Sequence, residues 1–146
     1  MSVSKAIFAG VMSVAALGAV IAAAPAASAA PNPGTCQVVD VCLYYNSGYQ
    51  GATFGDGNGN SQKPENYGAP NWYVFSGGSG AGIDVKNNAA SVYNFDINDT
   101  ATIYVNSNNT GPHQSFPPNT GGNLNSGLKN NEASQCLDFF QTCPGV

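Results

Sequence analysis

Two sequence motifs occur twice in the chain, in the same order, and this repeat constrains the fold more than any other feature. VKNNAAS runs from Val85 to Ser91 and LKNNEAS from Leu128 to Ser134. We call residues 86–91 and 129–134 the first and second Asn-Asn motifs. Upstream of each lies another matched segment, in which four residues align in pairs: Tyr44 with Tyr104, Asn46 with Asn106, Ser47 with Ser107, and Gly51 with Gly111. The domain is therefore predicted to be a duplication.

Each half is predicted to be antiparallel β structure. Four short runs are rich in Val, Tyr, Phe and Ile and are bounded by Gly, Asn or Pro: VCLYYN, WYVFSG, SVYNF and ATIYVN. GDGNGNSQKPENYGAPN and SGGSGAG have loop composition, and the first is predicted to be a long insertion in the first half. The sequence predicts an all-β sandwich of about eight strands, made of two packed Greek-key motifs.

The first residues of the chain have the pattern of a secretory signal peptide. Lys5 precedes an uncharged apolar run that ends in small residues, with an Ala-x-Ala arrangement at Ala27 and Ala29. Cleavage is predicted after Ala29, with Ala30 as the less favoured position, and a membrane anchor is disfavoured. Residues 1–29 would then be removed, leaving residues 30–146 as a single secreted domain with no membrane segment.

Charge and motif content exclude several classes of function. The chain has no arginine, and its few lysines oppose eight carboxylates, so clustered phosphate contacts to nucleic acid are not expected. No nucleophile elbow, zinc-binding histidine pair or phosphate loop is present, and His113 is the sole histidine. The protein is therefore predicted not to be an enzyme.

Four cysteines agree with an oxidising, extracellular location: Cys36, Cys42, Cys136 and Cys143. Four cysteines allow three pairings. The two local pairs are favoured because each closes a short loop at one end of the chain, although crossed pairs that tie the ends together stay open.

The repeated segments resemble a known superfamily. Tyr44, Tyr49 and Gly51 form an aromatic-x4-aromatic-x-Gly pattern that resembles the folded hairpin opening a βγ-crystallin Greek key. The Asn-Asn motifs resemble the closing loops of that superfamily, where many members bind calcium. Together with the cysteines, VCLYYNSGYQGA and VKNNAAS look like the secreted actinomycete peptidase inhibitor family I36. Asn109 replaces the second aromatic in the second half, so that hairpin is expected to be held less tightly.

The resemblance implies both fold and function. It implies a βγ-crystallin-like domain, with one Greek key at about residues 36–97 and another at about 98–140. It also implies a monomeric inhibitor that binds an extracellular protease stoichiometrically, with thermolysin-like metalloproteases as targets. The alternatives are a non-inhibitory extracellular module with weak calcium binding, or a protein that binds carbohydrate or another partner.

An inhibitor of this family is expected to display a disulfide-framed loop with an apolar residue after the first cysteine. The segment CLDFFQTC fits this description, with Leu137, Phe139 and Phe140 between Cys136 and Cys143. These apolar residues would suit an enzyme pocket that takes a bulky apolar side chain. The alternative is that they close the last strand and fill the core.

No cofactor is expected to be required, and calcium is the one metal ion that the resemblance implies. The candidate ligands are hard oxygen donors in the two Asn-Asn motifs: Asn87, Asn88, Ser91, Asn130, Asn131 and Ser134. Because Glu132 is the one acid in either motif, any binding should be weak. The alternative is that these residues only satisfy backbone groups at the ends of the Greek keys.

A further candidate surface surrounds Trp72, the sole tryptophan of the chain. Aromatic side chains in a secreted protein can stack on sugar rings or anchor a protein partner. The alternative is that Trp72 and Val74 alternate with Tyr73 and Phe75 along a strand, so that one pair faces the core.

Overall fold

The computed structural model describes Cys36 and residues 41–55, 65–70, 72–138 and 142–146. These residues form eight strands: β1 (Val41–Asn46), β2 (Gln50–Gly55), β3 (Glu65–Asn66), β4 (Ser91–Asn94), β5 (Ala101–Asn106), β6 (Thr110–Phe116), β7 (Thr120–Asn123) and β8 (Ser134–Leu137). The described part of the chain contains no helix, and hence no helix long and apolar enough to cross a membrane. The predicted signal peptide, residues 1–29, lies outside the described residues.

The strands form two four-stranded antiparallel sheets, with the orders β2-β1-β4-β7 and β3-β8-β5-β6. Each half of the chain forms most of one sheet, but its third strand belongs to the other sheet. β3 of the first half pairs with β8, and β7 of the second half pairs with β4. The predicted all-β architecture is confirmed, and neither half completes its sheet without the other.

The central strands β1 and β5 come from the two runs that are richest in aliphatic and aromatic residues. Both have the same burial pattern, with four buried residues followed by a half-buried and an exposed one. Alternate side chains point to opposite faces of a sheet. Leu43 and Ile103 accordingly enter the main core, whereas Tyr44 and Tyr104 pack beside the cysteines on the outer faces.

The main core lies between the sheets and takes residues from both. Its buried members are Val41, Leu43, Ala52, Phe54, Tyr67, Phe75, Val85, Ala89, Val92, Ala101, Ile103, Phe116, Leu124, Leu128 and Leu137. Burial of one large aliphatic or aromatic side chain contributes about 1.5–3 kcal/mol to the free energy of unfolding. The sandwich is therefore held together mainly by this shared core, which also fixes how the surface loops are placed.

The β1–β2 and β5–β6 hairpins bend in the same way. The strand register shifts after Tyr44 in the first hairpin and after Tyr104 in the second. Tyr49 and Asn109 occupy matching positions in the bends, with φ angles of 62° and 55°. Asn109 is buried and adopts the same conformation as the tyrosine it replaces. The backbone closure of the second hairpin thus matches that of the first, although the ring contact of Tyr49 with Tyr44 has no counterpart.

Two predictions about strand position are wrong. The segment at residues 72–77 forms only isolated bridges, because its N–H groups pair with three separate segments of the chain: Tyr73 with Tyr67, Phe75 with Ile83, and Ser76 with Thr53. The insertion predicted to be entirely loop contains β3. Because β3 has only two residues and no strong strand former, its pairing with β8 defines it rather than its own sequence.

Candidate functional site

The two Asn-Asn motifs lie side by side and exchange a reciprocal pair of backbone hydrogen bonds. Asn87 N–H donates to the Glu132 carbonyl oxygen at 2.8 Å, and Asn130 N–H donates to the Ala89 carbonyl oxygen at 2.8 Å. The two donating asparagines have φ angles of 63° and 56°, in the left-handed region that asparagine adopts more readily than most residues. The repeat therefore forms a pseudo-symmetric clasp that joins the halves.

The serine that ends each Asn-Asn motif fastens the hairpin of its own half. Ser91 Oγ donates to the Asn46 carbonyl oxygen at 2.7 Å and accepts a hydrogen bond from Tyr49 N–H at 3.0 Å. Ser134 Oγ makes the same two bonds in the second hairpin, at 2.7 and 3.0 Å. Each hydroxyl therefore satisfies backbone groups at the bend, which is the structural role considered above.

Glu132 breaks the symmetry of the clasp, because Ala89 stands at the matching position of the first motif. The Glu132 side chain is fully buried, and its Oε1 accepts hydrogen bonds from Asn88 N–H at 3.0 Å and Ala89 N–H at 2.8 Å. Its Oε2 accepts one from Asn131 N–H at 3.1 Å. Burial raises the pKa of this carboxyl to about 7, while the amide donors act in the opposite direction. The group therefore titrates near neutral pH.

A cleft of about 280 Å³ opens beside the first Asn-Asn motif, with Asn88 and Asn130 in its walls. Lys129 also lines the cleft, and its Nζ donates to Ser47 Oγ at 2.9 Å. A divalent cation placed in this cleft would be repelled by the ammonium group. The residues of this cleft therefore do not fit calcium.

Two of the candidate asparagines are held through their side-chain nitrogens, whereas a cation would bind their side-chain oxygens. Asn88 Nδ2 donates to the Lys86 carbonyl oxygen at 3.0 Å, and Asn131 Nδ2 donates to the Gly127 carbonyl oxygen at 3.0 Å. Within the described residues, no three His, Cys, Asp or Glu side chains gather in one place, so no such cluster adds charge to these oxygen donors. The predicted weak calcium binding is not tested by the structure, and the Lys129 ammonium group argues against it.

The favoured disulfide pairing is confirmed: Cys36 bonds to Cys42, and Cys136 bonds to Cys143. In the C-terminal disulfide loop, Leu137 is the last residue of β8, lies opposite Ala101 and is only 8 % exposed. It belongs to the main core, as the alternative interpretation has it. Its side chain is therefore not presented to solvent as an inhibitory residue should be. The neighbouring candidates, Phe139 and Phe140, lie outside the described residues.

The aromatic segment around Trp72 alternates between core and solvent. Phe75 is buried and Tyr73 packs against the main core, whereas Trp72 and Val74 are 60 % and 48 % exposed. The alternation of exposure is confirmed although the segment is not a strand, and it leaves the tryptophan at the surface. This exposed pair is one apolar surface available to a partner.

Three further large apolar residues are exposed in the described part of the chain and were not predicted as contacts: Ile83, Ile97 and Val146. Ile97 is 64 % exposed and lies in the connection between β4 and β5, which joins the two halves of the chain. The available signal was a lone isoleucine flanked by Asp96, Asn98 and Asp99, residue types that favour turns in which side chains bond the backbone.

The model of peptidase inhibitor family I36 matches residues 29–116, which is more than half of the chain. The chain belongs to peptidase inhibitor family I36. Membership makes it an inhibitor rather than an enzyme, and it makes a peptidase the expected partner. No curated protein matches the chain, and no solved structure matches it.

The region matched to family I36 includes one of the disulfides and four of the exposed large apolar residues that the structure describes: Trp72, Val74, Ile83 and Ile97. Leu137 lies beyond the end of the match at Phe116. The likeness to family I36 thus covers both hairpins and the first Asn-Asn motif, but not the C-terminal disulfide loop.

Proposed function

We propose that this protein is a secreted, monomeric inhibitor that blocks thermolysin-like metalloproteases by binding them stoichiometrically. The observation that carries the proposal is the match to peptidase inhibitor family I36 across more than half of the chain. No step of the proposed action requires a cofactor, since inhibition consists of filling the cleft of the enzyme and staying there.

A rigid frame supports this proposal. Inhibitors bind tightly when their contact surface is already ordered, because the entropic cost of ordering is then not incurred on binding. The exchanged strands β3 and β7, the clasp between the Asn-Asn motifs and a disulfide beside each end all restrict the surface loops. Such a frame suits the display of a short apolar loop to an enzyme.

We also assign the domain to the βγ-crystallin type, with Greek keys at about residues 36–97 and 98–140. In support, each half contains a folded hairpin, a strand given to the opposite sheet, and an Asn-Asn motif whose serine closes the hairpin. All three features recur in both halves, as expected if one Greek key was duplicated.

A location outside the cell fits the chemistry of the cysteines. Disulfides form and persist in oxidising compartments, and all four cysteines are paired. The signal-peptide pattern of residues 1–29 gives the same location from an independent part of the sequence.

The proposal is tested by titrating the oxidised mature protein against a thermolysin-type metalloprotease, with a serine and a cysteine protease in parallel. We expect metalloprotease activity to fall linearly to a one-to-one endpoint, with the other two enzymes unaffected. Full metalloprotease activity at excess protein would refute the proposed target class. Inhibition of the serine or cysteine protease alone would keep the family function but replace the target.

The exposed Trp72 favours a second candidate, binding to a polysaccharide. A tryptophan that is 60 % exposed can stack on a sugar ring, and Val74 beside it extends the apolar surface. Retention on insoluble polysaccharide that disappears in Trp72→Ala would support this function. Equal retention of wild type and variant would remove the tryptophan from it.

A further inference from the structure

The strongest unassigned feature is the connection between β4 and β5, residues 95–100, which we call the β4–β5 loop. It carries Ile97, whose side chain is 64 % exposed. A single exposed apolar residue is ordinary on a protein surface and decides nothing alone. What sets this one apart is how firmly the residues around it are held.

A fully buried asparagine organises the inside of the β4–β5 loop. Asn94 Nδ2 donates to the carbonyl oxygens of Asp99 at 2.8 Å and Phe116 at 3.0 Å. Asn94 Oδ1 accepts a hydrogen bond from Asp96 N–H at 3.0 Å. One buried amide group therefore fixes both arms of the loop and ties them to the end of β6.

Asp96 shapes the tip of the β4–β5 loop. Its Oδ1 accepts hydrogen bonds from Asn98 N–H at 2.7 Å and Asp99 N–H at 2.9 Å, the two amides that directly follow Ile97. The carboxylate itself is nearly buried. The chain is thus forced to turn around Ile97, which pushes the isoleucine side chain outward.

Two further contacts anchor the β4–β5 loop to other parts of the domain. Thr100 N–H donates to Asp138 Oδ1 at 2.7 Å, and Asp138 N–H donates back to the Thr100 carbonyl oxygen at 3.2 Å. The Asp96 carbonyl oxygen accepts a hydrogen bond from Asn119 N–H at 2.8 Å. The loop is therefore bound on both sides of its tip.

The backbone of Ile97 stands apart from this network. Among the described residues, neither its N–H nor its carbonyl oxygen makes a hydrogen bond, although both neighbours along the chain do. An enzyme pocket takes a side chain, and main-chain groups at the tip of a turn that lack internal hydrogen bonds can bond to the walls of the cleft. Ile97 offers all three groups on a segment that is already ordered.

We propose that Ile97 is the specificity residue of this inhibitor, and that it fills the apolar pocket of the target metalloprotease while the β4–β5 loop lies in the cleft. This inference rests on the proposed inhibitor function and names the part of the molecule that performs it. It also replaces Leu137, which is buried in the main core and lies beyond the family match.

The test compares the inhibition constants of wild type, Ile97→Asp and Ile97→Leu for a thermolysin-type metalloprotease. Ile97→Asp should weaken inhibition by about 100-fold or more, because a carboxylate must then be desolvated in an apolar pocket. Ile97→Leu keeps the volume and apolar character and should stay within about tenfold of wild type. Ile83→Asp is the matched control, because Ile83 is also exposed and lies in the family match but has its N–H and carbonyl oxygen in hydrogen bonds; it should change inhibition by less than about twofold.

Thermal melting separates a binding effect from a folding effect. Ile97 and Ile83 are exposed, so all variants should melt within about 2 °C of wild type. Undiminished inhibition by Ile97→Asp would overturn the assignment of Ile97 while leaving the inhibitor function standing. An equal loss in Ile83→Asp would show that any charge on an exposed isoleucine weakens inhibition, and it would also overturn the assignment. Absence of inhibition by wild type would overturn the proposed function, and the assignment of Ile97 with it.

Discussion

Glu132 is the residue whose chemistry is most unusual for its surroundings. It is a fully buried acid. Its carboxylate accepts hydrogen bonds from three backbone amides, two in the first Asn-Asn motif and one in the second. Removing a buried acceptor leaves its donors without partners, which costs about 1–3 kcal/mol per group. The same burial disfavours the charged form, so this residue links the stability of the clasp to pH.

The raised pKa of Glu132 predicts the direction in which stability changes with pH. Because burial raises this pKa from 4.5 to about 7, the folded state binds a proton more tightly than the unfolded chain does. The contribution to stability is complete below about pH 4.5 and is lost as the pH rises through 7, amounting to about 3 kcal/mol. The free energy of unfolding in urea should therefore be higher at pH 5 than at pH 8.

Glu132→Gln is the control for this pH dependence. The glutamine keeps a side-chain oxygen as an acceptor but cannot titrate, so the variant should show a much smaller difference between pH 5 and pH 8. If the variant and wild type lose the same amount of stability over that range, another group is responsible.

Two tyrosines at matching positions provide a second comparison. The buried Tyr44 hydroxyl has no hydrogen-bond partner among the described residues, and burial raises its pKa to about 12. The Tyr104 hydroxyl donates to the Pro144 carbonyl oxygen at 2.8 Å. Tyr44→Phe should leave the free energy of unfolding unchanged or raise it, whereas Tyr104→Phe should lower it by about 1 kcal/mol. Equal losses in denaturant unfolding would contradict this account.

For single residues, the sequence indicated which side chains could contact a partner but not which of them are exposed to solvent. Leu137 follows a cysteine, and such an apolar residue looks the same in sequence whether it ends a strand or caps a loop. Only the pairing of β8 with β5 shows that it faces the main core. Ile97 was missed for the opposite reason, since one isoleucine among turn residues has no periodicity to mark it.

Among the structural elements, the strands with the strongest composition were predictable and the ones defined by partners were not. β1, β4 and β5 follow from runs of β-branched and aromatic residues. β3 has no such run and depends on its contact with β8. The clasp was equally hidden, because the sequence shows that the Asn-Asn motifs repeat but not that their backbones exchange hydrogen bonds.

The Asn-Asn motifs also lead to a prediction about calcium. Their serine hydroxyls close the hairpins, and the Lys129 ammonium group sits in the cleft beside the first motif. We expect a calcium chelator to leave the melting temperature unchanged, and calorimetry with millimolar calcium to give little heat. Lys129→Ala removes the repelling charge and should bind calcium more strongly than wild type. A large fall in melting temperature with chelator would show that the fold does require the ion.

At the scale of the whole molecule, duplication explains both stability and function. Each half lends a strand to the other sheet, and the core between the sheets takes residues from both halves. The domain should therefore unfold as one cooperative unit. The β4–β5 loop connects the two halves, and hydrogen bonds on both sides of its tip hold it in place.

In the proposed function, one molecule of this protein occupies the active-site cleft of one metalloprotease. Isothermal titration calorimetry tests it directly, with the free enzyme in one cell and enzyme whose cleft is saturated by a small competitive inhibitor in another. We expect one-to-one binding to the free enzyme and no binding to the blocked enzyme. Binding that persists when the cleft is blocked, or no binding to the free enzyme, would contradict it.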